Sequence, residues 1–142
     1  MKLLRLFPLA AMLACAACDT QWGQGAGELI DELPRKELVG CYGAGPTLPA
    51  LKVTNESIFA DGEVLHTSYE YGSVGRNAVP VIRFVPNGTT LERQLDATYA
   101  FVTNEQGVGG DASYRVNRQS LASITIVSGD GIQHDFKRVA CS

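Results

Sequence analysis

Histidine and recognisable catalytic motifs are scarce in this chain. His66 and His134 are the only two histidines, and neither G-x-S-x-G nor H-E-x-x-H occurs. A base role for His66 beside Glu70 or Asp61 is one interpretation, and a partly exposed strand histidine is the interpretation we favour. We therefore predict no catalytic residue, no metal site and no cofactor.

Two other patterns are incomplete as ligand sites. The glycine-rich stretch GVGG at 107–110 lacks the lysine that follows in a phosphate-binding loop, so we predict a hairpin loop there. Asp61, Asp111 and Asp130 all lie in predicted turns, where aspartate is favoured for local hydrogen bonding. We give a calcium role to none of them.

The apolar run at the N-terminus is too short to span a bilayer. Lys2 and Arg5 precede an apolar stretch over 6–14, whereas a membrane-spanning helix needs about 20 apolar residues. This pattern predicts a cleaved export signal over residues 1–17. A transmembrane anchor and a buried helix of the mature domain are the alternatives.

Cysteine is also scarce, and two of the four cysteines end this run. The stretch CAAC at 15–18 resembles the lipobox of bacterial lipoproteins, in which Leu-[Ala/Ser]-[Gly/Ala]-Cys ends in a lipidated cysteine. Ala16, Ala17 and Cys18 match this motif, while Cys15 stands where the class prefers leucine. MLAC, which ends at Cys15, is the alternative lipidation site.

The resemblance implies a lipoprotein of the bacterial cell envelope. Cys18 would carry a thioether-linked diacylglycerol and a further acyl chain, palmitate for example, because stable anchoring needs more than one chain. The domain would then lie outside the cytoplasm, in the periplasm, with the choice of inner or outer membrane left open. Ordinary signal cleavage after Ala16 is the alternative, but it would leave one thiol unpaired in an oxidising compartment.

The remaining two cysteines, Cys41 and Cys141, stand 100 positions apart. Export places them where thiols oxidise, so we predict a disulfide that joins the first strand to the last. Two free buried cysteines are one alternative. A metal pair is the other, and it lacks the clustered histidines that would complete a site.

Charge excludes one class of partner. From Cys18 onward, ten basic and fifteen acidic side chains give a formal charge of −5. Such a balance repels phosphate backbones, so we predict no nucleic-acid partner.

Residues 18–27 have the glycine-rich composition of a flexible tether. Residues 28–142 are enough for a single domain.

The body of the chain alternates apolar and polar residues with a period of two, which predicts β-strands. Asn-Gly and Asp-Gly turns between the strands favour antiparallel hairpins. We expect an all-β fold, a small antiparallel β-barrel or sandwich of about 7–8 strands. The clearest strands cover residues 37–43, 51–55, 63–71, 78–85, 113–118, 120–127 and 132–140.

Three further assignments depend on weaker patterns. Residues 89–103 have the capping-box spacing of a helix, but alternation covers more of the segment, so we predict a strand. Apolar spacing predicts a short helix over 28–33. In the last strand, Cys141 has the opposite parity to Phe136, so a bulge near 137–138 would be needed to turn Cys141 inward. We predict instead an edge or end position for this strand.

These observations leave three functions. We hypothesise a non-enzymatic envelope module that binds a protein or a small apolar ligand at a barrel mouth or a sheet edge. A structural or assembly accessory would instead show a broad exposed apolar patch without a pocket. A hydrolase with an atypical site would show a pocket that converges on His66 or His134 and a carboxylate.

Overall fold

The computed structural model describes residues 29–84, 88–104 and 113–142. These residues form strands and one short 3₁₀ turn, which confirms the all-β prediction. The described strands outnumber the 7–8 that we expected. In chain order, they are β1 (Asp31–Glu32), the 3₁₀ turn (Arg35–Glu37), β2 (Gly40–Gly43), β3 (Leu51–Val53), β4 (Ile58–Ala60), β5 (Glu63–His66), β6 (Glu70–Val74), β7 (Val79–Arg83), β8 (Thr89–Arg93), β9 (Tyr99–Thr103), β10 (Ser113–Asn117), β11 (Ser123–Val127) and β12 (Gln133–Val139).

Most of the strands belong to one antiparallel sheet. Its order is β1-β6-β7-β10-β11-β12-β2-β3-β4-β5, and β8 pairs separately with β9. Among the described residues no ladder joins β5 to β1, so the sheet is not a closed barrel. The sheet nevertheless curls, because Nε2 of His66 on β5 lies 2.9 Å from the hydroxyl of Tyr114 on β10.

The core consists of the inward-facing side chains of this curled sheet and of the β8–β9 hairpin. Full burial of each apolar side chain contributes about 1.5–3 kcal/mol relative to exposure. Buried tyrosines keep their hydroxyls bonded: that of Tyr42 donates to the Leu38 carbonyl at 2.6 Å. The buried core residues are Leu38, Tyr42, Leu51, Val53, Ile58, Tyr69, Tyr71, Ile82, Phe84, Leu91, Tyr114, Val116, Ile124, Ile126 and Phe136.

Two predicted strands are each divided by a turn. The segment 63–71 bends at the exposed residues Thr67 and Ser68 and becomes β5 and β6. The segment 89–103 is the β8–β9 hairpin, so the strand prediction is correct in type and the helix alternative is wrong. Its turn forms because the Asp96 carboxylate accepts hydrogen bonds from the Thr98 backbone N–H at 3.0 Å and from its hydroxyl at 2.6 Å.

The predicted helix over 28–33 is wrong for the part that the structure describes. Residues Asp31–Glu32 form β1, paired with β6, and the Leu33 N–H donates to the Tyr71 carbonyl at 2.9 Å. A helix this short is unstable without tertiary support, and here the support favours an extended chain. Gly72 allows β1 to lie this close to β6, because a Cβ at residue 72 would be only 2.4 Å from the Asp31 carbonyl oxygen.

The last strand lies inside the sheet, not at its edge. β12 pairs with β11 on one side and with β2 on the other, in continuous register through Val139 opposite Cys41. The predicted edge or end position is therefore wrong. The bulge is unnecessary because both cysteines face outward: their sulfur atoms are 2.01 Å apart and their Cα atoms 5.2 Å apart, within the usual range for a disulfide.

The predicted export signal, 1–17, and tether, 18–27, lie outside the described residues, as do both candidate lipidation sites, Cys18 and Cys15. Within the described ranges, no helix has the length and apolar character needed to cross a membrane.

Candidate functional site

A row of outward-facing side chains crosses five adjacent strands. Val139 of β12 stands opposite Cys41 of β2, which stands opposite Lys52 of β3. The row continues through Phe59 of β4 to Val64 of β5. Strand alternation places these residues outside because their chain neighbours face the core. Val139 and Val64 are 48% and 54% exposed, so the row leaves apolar surface in water.

A groove of about 570 Å³ lies over one end of this row. We call it the outer groove, and its lining includes Cys41, Lys52, Phe59, Val139 and Ala140. Its volume falls within the range of about 300–1,000 Å³ that is typical of small-molecule sites. The groove therefore combines an apolar surface with one cationic side chain, Lys52, and one anionic side chain, Asp61.

The two charged groups that line the outer groove have different surroundings. The Asp61 carboxylate accepts the Ala50 N–H at 2.9 Å and so closes the β4–β5 turn onto β3. Lys52 has no carboxylate within ion-pair distance in the described ranges. Asp61 therefore has a local structural partner, whereas the Lys52 ammonium is available to a ligand.

A second cluster contains serine, aspartate and histidine at the β11–β12 turn. The buried Ser128 hydroxyl contacts the Asp130 carboxylate and lies 3.0 Å from His134 Nε2. Tyr99 of β9 donates to Asp130 at 3.0 Å, and its ring meets the His134 ring edge-on with centroids 4.5 Å apart. The hydrogen bond from Ser128 lowers the pKa of Asp130. These contacts attach the β8–β9 hairpin to the β11–β12 turn.

This cluster has the residue types of a catalytic triad without its arrangement. In a triad the histidine accepts the serine proton and the aspartate orients the histidine. Here the Ser128 hydroxyl lies within hydrogen-bond distance of three groups, the Asp130 carboxylate, the Ile132 carbonyl and His134 Nε2. Among the described contacts, Asp130 meets Ser128 and Tyr99 instead of the imidazole. The cluster therefore differs from a triad in the partners of its aspartate.

The other histidine is buried, contrary to the prediction of a partly exposed one. His66 is only 3% exposed, and its ring stacks on Phe84 with centroids 3.8 Å apart. Its described polar contact is the Tyr114 hydroxyl, and neither Glu70 nor Asp61 is a partner. Burial lowers the pKa of His66 to about 4. The imidazole is therefore neutral at physiological pH.

Between the hairpin and the sheet there is a smaller cavity of about 180 Å³, lined by residues that include Leu91, Phe101, Tyr114 and Ser128. It is well below the usual volume of a ligand site. No three potential metal-ligating side chains cluster in the described part of the chain. Asp111 and the stretch 107–110 lie outside that part.

Sequence reasoning missed the residues of the outer groove. Lys52 is a polar residue between two core residues, Leu51 and Val53, and this pattern indicates an outward position. The neighbours of Lys52 across the sheet depend on long-range register. That register, and not local pattern, brings Phe59 and Val139 to the same groove.

The chain matches no protein-family model, no curated protein and no solved structure.

Proposed function

We propose that this protein is a membrane-anchored lipoprotein of the bacterial envelope that binds, without catalysis, a small apolar molecule carrying one acidic group. The ligand lies in the outer groove. The observation that carries this proposal is the Lys52 ammonium group, which has no ion-pair partner among the described residues and lies in a groove that Phe59 and Val139 make apolar.

The two kinds of contact contribute differently. Covering Phe59 and Val139 removes apolar surface from water, which contributes about 25 cal/mol per Å². An ion pair between Lys52 and an acid at an exposed site contributes only about 0–1 kcal/mol. The apolar body of the ligand therefore supplies most of the affinity, and Lys52 selects molecules with an acidic group.

The size of the groove favours a small molecule over a protein partner. The volume of the outer groove, about 570 Å³, lies within the range of about 300–1,000 Å³ that is typical of small-molecule sites. A structural or assembly accessory is the alternative function, and a hydrolase is a weaker alternative because Asp130 contacts Ser128 and not the His134 imidazole that it would orient in a triad.

Binding of a dansyl-labelled fatty acid tests the proposal. We expect saturable fluorescence enhancement with the full domain. Val139→Ala should weaken binding about two- to fivefold, since about 25 cal/mol is lost per Å² of apolar contact. Val127→Ala is the matched control, because Val127 and Val139 are exposed to 47% and 48% and only Val139 lines the groove.

A second pair of variants tests the acid. Lys52→Gln should weaken binding of the fatty acid more than binding of the corresponding fatty alcohol, while Lys137→Gln should affect neither, since Lys137 does not line the groove. Equal effects of Val139→Ala and Val127→Ala, or no saturable binding, would contradict the proposal. Ester, peptide or phosphate turnover that Ser128→Ala or His134→Ala abolishes would show that the protein is a hydrolase.

A further inference from the structure

A second cavity, of about 490 Å³, lies beside the β10–β11 turn and the end of β12. Two of its lining residues are Arg118, just after β10, and Arg138, near the end of β12. Arg138 has the inward parity of Phe136, whereas Val139 of the outer groove faces the opposite side of the same strand. We call it the arginine cavity, and it is distinct from the outer groove.

Arg138 is a cation that has only neutral partners in the described ranges. Its guanidinium donates to the Val39 carbonyl at 2.7 Å, to the Glu37 carbonyl and to the Tyr42 hydroxyl at 3.0 Å. Its Nε–H is buried and has no hydrogen-bond partner among the described residues. A buried donor without a partner is unfavourable, so an acceptor that reached it would be stabilised.

Arg118 is held in place by a carboxylate. Its Nε and Nη2 donate to the two Glu37 oxygens at 3.0 and 2.8 Å, and this hydrogen bonding holds the pKa of Glu37 below its usual value. Glu37 therefore stays ionised and fixes the guanidinium plane. The Nη1 of Arg118 takes no part in that pairing, so donors remain for a further acceptor.

The lining thus contains two guanidinium groups and one carboxylate, a net positive charge in a chain that is acidic as a whole. Guanidinium groups match the planar geometry of carboxylate and phosphate oxygens. From this geometry we infer that the arginine cavity binds a small oxyanion group, a carboxylate or a phosphate. Leu121, which is 67% exposed at the rim, provides an apolar contact for the rest of such a ligand.

Side-chain NMR of the arginine Nε–H groups tests this inference on the full domain. Sodium phosphate and sodium acetate are titrated separately, with sodium chloride at matched ionic strength as the reference. We expect saturable shifts of the Arg138 and Arg118 signals with at least one of the two oxyanions. Saturation by phosphate alone or by acetate alone identifies which oxyanion the site prefers.

Two isosteric variants separate a specific site from general ionic attraction. Gln119→Glu adds a negative charge to the cavity lining, whereas Asn77→Asp adds the same charge in the exposed β6–β7 turn. We expect Gln119→Glu to weaken anion affinity about three- to tenfold, because like charges repel at close range, and Asn77→Asp to leave it unchanged. Equal effects of the two variants, or shifts no different from those with chloride, would overturn the inference.

Discussion

At the scale of single residues, the two histidines show how surroundings decide the behaviour of one side chain. His134 is half-buried and exchanges hydrogen bonds with a turn, whereas His66 is buried between Phe84 and Tyr114. Both described neighbours of the His66 ring are uncharged, so nothing on them compensates a positive imidazole. Its protonation is therefore opposed by the fold.

We predict that stability depends on pH through His66. Above about pH 6.5 the imidazole is neutral in both states and no penalty arises. Between pH 6.5 and about 4 the unfolded chain binds a proton that the folded chain does not, so stability falls as pH falls. The loss approaches about 3 kcal/mol near pH 4. Urea unfolding at a series of pH values measures this slope.

The variant His66→Gln provides the comparison for this prediction. Glutamine has a nitrogen that can meet the Tyr114 hydroxyl but does not titrate in this range. The slope between pH 6.5 and 4 should therefore decrease in His66→Gln, even if the variant is less stable at neutral pH. An unchanged slope would assign the pH dependence to other groups.

At the scale of elements, a short segment can be held by one position in its partner. β1 has two residues and both are exposed, so its own burial does not explain its conformation. It is held by hydrogen bonds from Ile30 and Leu33 to the carbonyls of β6, and the Asp31 carbonyl and the Leu29 side chain occupy the space that a Cβ at residue 72 would fill. The missing side chain at Gly72 is what permits both.

We predict that Gly72→Ala detaches β1 from the sheet. The new Cβ would lie 2.4 Å from a backbone oxygen of β1, which is too close for any contact. Gly43→Ala is the matched strand control, because its Cβ would make ordinary van der Waals contact with the Val139 methyl groups, the nearer at 3.6 Å. Hydrogen exchange of the Ile30 and Leu33 amides should accelerate in Gly72→Ala and not in Gly43→Ala. Overpacking of this kind typically lowers the free energy of unfolding by about 1–3 kcal/mol. Retained protection of both amides would contradict this role of Gly72.

Local patterns were sufficient for the strand class and insufficient for several boundaries. Alternation correctly placed the core residues of strands such as Leu51–Val53, because one face of each strand is buried. The β8–β9 turn was missed because it contains no glycine: Ala97 adopts a positive φ of 65° beside the hydrogen bonds of Asp96. Helical spacing over 28–33 failed because pairing with β6 overrides it.

The candidate sites were less predictable than the strands. Cysteine parity was enough to pair Cys41 with Cys141, because the proposed export signal and lipid anchor would account for the other two. By contrast, the outer groove and the arginine cavity depend on which strands are neighbours in the sheet. Arg138 did carry one local signal, since it has the inward parity of Phe136. A cation on a core-facing position indicates a polar cluster, which the structure contains.

At the scale of the whole molecule, the proposed tether would determine where the domain acts. If Cys18 carries the lipid, the nine residues 19–27 would hold the domain close to a membrane, within about 15–18 Å for a flexible chain of that length. We predict that intact mass spectrometry of the membrane-extracted protein will show a chain that begins at Cys18 and carries the mass of acyl groups. A lipidated chain that begins at Cys15 would correct the site, and a soluble unlipidated chain would exclude the anchor.

The sheet itself joins two parts of the chain at one seam. Strands β2 to β5 follow one another along the chain and in the sheet, and in the described ladders only the β2–β12 pairing connects them to the other six strands of the sheet. The Cys41–Cys141 disulfide lies at the end of this pairing. It therefore connects the two parts covalently where the sheet depends on a single ladder.

We predict that reduction of this disulfide weakens the seam and lowers the stability of the whole domain. Loss of a native disulfide from a small exported domain costs about 2–5 kcal/mol, because the unfolded chain regains the entropy of a loop of 100 residues. Urea unfolding with and without reductant measures the loss, and the double variant Cys41→Ser with Cys141→Ser should match the reduced protein and no longer respond to reductant. Because β2 and β12 meet at this ladder, amide exchange at Cys41 and Val139 should accelerate on reduction before exchange in β6 and β7 does. An unfolding midpoint that is insensitive to reductant would mean that the two cysteines are not bonded in solution.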